Sequence, residues 1–172
     1  MGLIHEINRN ETKYQKALER LAGIDFNDEI QKLEPEQIEI IHDEMIAKFG
    51  GINGIRDNGL FLSLCTAPFQ ECFGEELYPT LFEKAAKYLE SFARYQVFLD
   101  GNKRTGFTTM CVFLGINGYE FDMSNEEAEL FVLDIANGKY KELQEIAEIL
   151  MENSVYKKDV LTFFKENEEK EL

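Results

Sequence analysis

Within one short stretch, Asp100-Gly101-Asn102-Lys103-Arg104 gathers a carboxylate, a glycine, an amide and two cations. This is a set suited to holding a phosphate beside a divalent cation. Phe98-Leu99 precedes it, Thr105-Gly106 follows it, and a helix is predicted to open at Asn102. Unpaired backbone amides and the positive end of the helix dipole would then face the preceding turn. Lys103 and Arg104 can add charge-assisted hydrogen bonds to phosphate oxygens. Gly101, Asn102, Thr105 and Gly106 complete the expected nucleotide-binding set, and Asp100 can hold a magnesium ion that bridges phosphates. The GxxxxGK[ST] spacing of a P-loop is absent. The same residues also suit a plain helix start, with Asp100 capping, Gly101 turning and both cations solvated, and residue types alone leave the two readings open.

Two apolar helix faces must position this loop. Leu81, Phe82, Ala85, Ala86, Leu89, Phe92 and Ala93 recur at helical spacing before it, and Phe107, Met110, Cys111, Phe113 and Leu114 do so after it, with Asn117-Gly118 as a stop. Further upstream, Pro35 suits a first helical turn. Ile38, Ile41, Met45, Ile46 and Phe49 mark a buried face, and Gly50-Gly51 ends the helix. Gly51 to Gly59 reads as an ordered loop that could wall a cleft, followed by a short apolar segment, Leu60 to Ala67. Ser124 and Glu127 form a predicted capping box, and an amphipathic helix is expected from Lys139 to Asn153. The predicted fold is all-α, with the loop between two core helices. A domain over 31–153 is flanked by an N-terminal helical extension (1–30, with a helix near Lys13 to Leu21) and a polar C-terminal helix or tail (154–172).

At 172 residues, 44% hydrophobic and 30% charged, the chain can bury one core. No apolar run is long enough for a bilayer and the first residues lack a signal-peptide pattern, so a cytoplasmic protein without membrane association is expected. A net charge of −15 argues against nucleic acid as a partner and favours a basic protein surface, or simply solubility. Cys65, Cys72 and Cys111 sit in apolar surroundings, show no metal-ligand spacing and read as buried free thiols. His42 reads as a packed or hydrogen-bonded residue on its helix rather than a base.

FLDGNKRTG resembles the core of the Fic/Doc motif, HxFx(D/E)(G/A)N(K/G)R, matching at Phe98, Asp100, Gly101, Asn102, Lys103 and Arg104. The upstream order KFGG, GIRDNGLFLSL, YPTLFEKAAKYLESFARY is similar to the Doc-like branch, and the resemblance covers roughly residues 33–153. It implies a compact helical fold, often a toxin of a toxin–antitoxin pair. Such proteins move a phosphate or a nucleoside monophosphate from ATP or another NTP, with magnesium, to a protein hydroxyl. By that resemblance Phe98 anchors the loop, Asp100 binds magnesium or orients the hydroxyl, Gly101 and Asn102 shape an anion hole, and Lys103 and Arg104 grip phosphates. A small antitoxin is the implied partner beside the protein substrate.

The catalytic histidine of that pattern is replaced by Gln96. Glutamine has no titration near neutral pH and cannot act as the general base, a contribution of about 10²–10⁴-fold. Three explanations follow: an enzyme that works without the base, a catalytically silent nucleotide-binding or regulatory module, or a substitution made to tolerate a toxic protein. Thr162, Glu166 and Asn167 are similar to the inhibitory pattern (S/T)xxxE(G/N)N, with Glu168 in place of the last asparagine. That resemblance implies a Glu166–Arg104 latch, against the plainer reading of a solvated, glutamate-rich helix end.

Overall fold

Helix starts in this chain are set by side chains that reach back to the first free amides. A computed structural model describes residues 29–157. The chain divides between Ile30 and Gln31, and every described helix and strand belongs to the second unit. Helix α1 (Pro35–Phe49) opens on proline, with the Gln37 side chain accepting the Glu34 N–H. Helix α2 (Asn58–Thr66) is capped by Asp57, which accepts from Leu60 N at 2.9 Å. Helix α3 (Leu81–Arg94) has a Thr80/Glu83 capping box and α5 (Asn125–Ala136) the expected Ser124/Glu127 box. Helix α6 (Leu143–Glu152) begins on a Glu142/Glu145 box, four residues later than the spacing predicts. Gly138, at φ 74°, ends the preceding helix, and Lys139 N still bonds back to Asp134 O at 2.9 Å, so Lys139–Glu142 are taken up by the connection. Helix α4 (Asn102–Ile116) is different: among the six described α-helices it alone has neither a side-chain cap nor a capping box.

Helix α3 is the central element, packing along α4 and against α5 and α6. Ala85, Ala86, Tyr88, Leu89 and Phe92 on it are fully buried. A Cβ on Gly106 of α4 would lie 3.0 Å from Phe92 Cβ and 3.3 Å from Leu89 O, so glycine sets how closely these two helices meet. Arg94 ties α3 to the end of α5, its guanidinium donating to the carbonyls of Ile135 (3.1 Å) and Tyr140 (2.8 Å) and pairing with Glu90. The fully buried Lys84 ammonium donates to Tyr78 O (2.6 Å) and Glu76 Oε1 (3.0 Å), fixing the segment before α3.

The fold is mostly helical, as the apolar spacing and the resemblance imply. Two small antiparallel pairs were not expected: β1 (Glu71–Cys72) with β2 (Glu75–Glu76), and β3 (Tyr119–Phe121) with β4 (Ser154–Tyr156). Strands of two or three residues carry too few alternations to be read from sequence. The predicted helix near Lys13 and the tail beyond Lys157 lie outside the described residues. No helix among the described residues is long and apolar enough to cross a membrane.

Candidate active site

The loop between α3 and α4 is anchored by Phe98, fully buried against Phe61, Phe92 and the His42 ring. Asn102 closes it: its Oδ1 accepts the Phe98 N–H at 2.9 Å and its Nδ2 donates to Phe98 O at 3.1 Å. One amide side chain thereby satisfies both polar groups of a buried residue that no ladder could reach. The segment expected to wall a cleft pairs with this loop through its main chain. Ile55 bridges Phe98, Arg56 N donates to Val97 O (2.7 Å), and Leu99 N donates to Gly54 O (2.9 Å).

These constraints leave the start of α4 open. Gly101 turns the chain at φ 76°, and the first intrahelical bond runs from Thr105 N to Gly101 O at 2.9 Å. The N–H groups of Asn102, Lys103 and Arg104 precede that bond and have no intrahelical acceptor. Asp100 is exposed beside them, its Oδ1 accepting the Gly101 N–H at 2.7 Å. Gly51 passes so close that a Cβ there would lie 2.6 Å from Asp100 Oδ2. Lys103 is exposed, and Arg104 donates to Gly50 O (3.0 Å) with its guanidinium 5.6 Å from the Phe49 ring centre. The result is an uncapped helix terminus flanked by one carboxylate and two cations, an arrangement able to bind an anion.

Not all of the expected residues converge. Gln96 is exposed just past the end of α3, close in sequence to the mouth. Thr105 is fully buried and its N–H is used within the helix, while Gly106 faces α3, so both lie on the packing side of α4. Thr162, Glu166 and Asn167 lie outside the described residues. Among the described residues no group of three or more His, Cys, Asp or Glu could hold a metal by itself. Asp100 could contribute one carboxylate to a magnesium ion only if phosphates and water supplied its other ligands.

His42 is buried, as expected of a packed residue, but it packs directly under this loop, donating from Nε2 to Asp100 O at 3.0 Å. Ile46, one turn along, lies beneath Gly101. Nothing local in the sequence marks that pair as the floor of the site, because its partners lie more than fifty residues away. Of the three thiols expected to be buried, Cys65 is buried, Cys111 is half-buried and Cys72, on the short strand β1, is exposed; burial pushes Cys65 up to about 12, with Glu36 adding to the shift, and Cys111 up to about 11.

A sequence model described as the Fic/DOC family matches residues 32–114, which include α1 through the loop and most of α4. The chain is 38% identical over 90 residues to the "Toxin Doc" of Mycolicibacterium smegmatis, covering 51% of this chain and 69% of that relative. It is 34% identical over 103 residues to the "Protein kinase doc" of Escherichia phage P1, covering 60% of this chain and 81% of that one.

Proposed function

We propose, because this chain belongs to the Fic/DOC family, that it is a toxin-like transferase whose loop binds ATP or another NTP with magnesium and passes a phosphate or a nucleoside monophosphate to a protein hydroxyl. The observation that carries this reading is the open start of α4, alone among the described α-helices in having neither a side-chain cap nor a capping box, and flanked by Asp100, Lys103 and Arg104. Nucleotide phosphates would take the free amides of residues 102–104, with Lys103 and Arg104 neutralising charge and Asp100 holding magnesium. Bound magnesium would offset the charge that builds on the phosphoryl oxygens. The target oxygen attacks phosphorus, the P–O bond to the leaving group breaks, and the leaving group departs as ADP in phosphate transfer or pyrophosphate in nucleotidyl transfer. The hydroxyl proton goes to solvent, since Gln96 cannot take it. The phage relative's description as a kinase favours phosphate as the group moved.

Transfer of this kind rests mostly on positioning and charge stabilisation, which the loop retains. The missing base corresponds to a slowing of about 10²–10⁴-fold, with nucleotide binding largely preserved. The exposed amide of Gln96 supports a second reading, a silent nucleotide-binding or regulatory module on the same fold. In either case an antitoxin that covers this protein in the cytoplasm is the partner we propose. Mass spectrometry of a bacterial lysate incubated with ATP, magnesium and either this protein or Gln96→His separates the two readings. A specific mass increase with the unaltered chain identifies a working transferase and its transferred group. Labelling only by Gln96→His identifies a silenced one, and labelling by neither, with ATP still bound, supports the binding module.

A further inference from the structure

His42 is a buried polar residue, 1% exposed, with its ring stacked on Phe98 at 3.9 Å between centroids and 7° between planes. Its Nε2 lies 3.0 Å from the Asp100 carbonyl oxygen. A carbonyl can only accept, so the proton must sit on Nε2. The next peptide N–H, that of Gly101, goes to the Asp100 carboxylate at 2.7 Å. One peptide plane, Asp100–Gly101, is thus held at both ends, by His42 on its oxygen and by Asp100 Oδ1 on its nitrogen. Whatever sets that plane also sets the direction of the carboxylate and the left-handed turn of Gly101 that opens α4.

We propose that His42 is a positioning residue for the anion-binding loop: its Nε2–H orients the Asp100–Gly101 peptide and, through it, the Asp100 carboxylate and the free amides of residues 102–104. It acts from behind the site, its Nε2–H being spent on the backbone of the loop. The stack on Phe98 and the bond to Asp100 are separable contributions, the first to packing and the second to loop geometry. The inference rests on the nucleotide-binding reading of the loop only for its functional consequence.

Three full-length variants separate these contributions. His42→Phe keeps a flat ring against Phe98 and loses the donor. His42→Gln loses the stack but can place an amide N–H near the Nε2 position. His42→Asn is too short to reach. Amide hydrogen exchange at residues 100–104 without nucleotide, ATP–magnesium affinity by calorimetry and the melting temperature are read for each. His42→Phe should exchange faster across the loop and bind ATP about tenfold more weakly, the equivalent of about 1.4 kcal/mol. His42→Gln should restore both readouts whatever its melting temperature. If His42→Phe does not fold, the contrast between His42→Asn and His42→Gln makes the same comparison. Unchanged loop exchange in a folded variant that lacks the donor overturns the proposal, as does a His42→Gln protein no better than His42→Phe. Failure of the unaltered protein to bind ATP would instead remove the nucleotide reading, and the exchange comparison would still decide the role of His42.

Discussion

Substituting Gly51 by alanine tests how tightly the end of α1 is fitted to the loop. The new Cβ would sit 2.6 Å from Asp100 Oδ2 and 3.0 Å from Ile46 Cδ1, at a φ of 125° that side chains rarely adopt. Strain of that backbone kind costs about 1–3 kcal/mol. In addition, the carboxylate must retreat to ordinary contact, which pulls Oδ1 off the Gly101 N–H. A hydrogen bond to a charged group contributes about 1.5–3 kcal/mol, and the exposure of Asp100 favours the lower end. In an Asp100→Ala background the carboxylate is gone and only the backbone strain and the Ile46 contact remain. The two substitutions should therefore couple by about 1.5 kcal/mol. At about 2–4 °C per kcal/mol for a chain of this size, that is about 3–6 °C less penalty for Gly51→Ala when Asp100 is absent. Thermal melts of the four proteins measure this directly, and ATP–magnesium titration should show Gly51→Ala weakening binding. A Gly51→Ala penalty equal in both backgrounds, within about 0.5 kcal/mol, refutes the close fit.

Asn102→Ala removes both partners of the Phe98 peptide groups and should lower stability by about 2 kcal/mol, while Asn102→Asp, which keeps the acceptor and loses the donor, falls between; chemical denaturation gives the values. Burial alone would raise the Glu83 carboxyl, but hydrogen bonds from Gln144 and Thr80, with the Lys84 charge, bring it below its ordinary value. Its stabilising contribution is therefore complete above the ordinary glutamate value of 4.5 and is lost as pH falls through the folded one. Glu83→Gln should then show a shallower fall in melting temperature between about pH 5 and pH 3, and parallel curves would count against it. Iodoacetamide at about pH 8 should alkylate the exposed Cys72 first, leaving Cys65 and Cys111, whose thiols are raised by burial, largely unmodified in peptide maps.

The helices that bracket the loop were legible because their apolar spacing is unbroken: Ala85, Ala86, Leu89 and Phe92 on α3, and Met110, Phe113 and Leu114 on α4, are all buried. On α1 the expected face holds at Ile38 and Ile46, with Ile41 and Met45 half-buried, but His42 joins it and Phe49 leaves it. Ile38, His42 and Ile46 are the buried residues, four apart, while Phe49 is 57% exposed and receives the Arg104 guanidinium. A histidine at the centre of an apolar stripe is hidden from hydrophobic patterning, since its polar ring is satisfied by an acceptor fifty-eight residues away and stacked on Phe98. The residue types around FLDGN suited an anion site and a plain helix start alike. That stretch could not show that its first two residues pair with Gly54 and Ile55, or that Thr105 and Gly106 turn toward α3. Those outcomes depend on how distant segments meet, information carried by the packed core and not by any local window.

The turn at Asn117-Gly118 has a consequence for chain connectivity. Gln31 N donates to Asn117 Oδ1 at 2.8 Å and Lys157 N donates to Gly118 O at 2.8 Å, so two stretches far apart in the sequence are hydrogen-bonded to neighbouring residues of one turn. That turn closes α4 about 22 Å from the loop that opens it, at about 1.5 Å per residue over its 15 residues. One short turn thereby ties together the stretch before α1, the end of α4 and the stretch after α6, so a substitution at Asn117 acts on segments that lie far apart in the sequence.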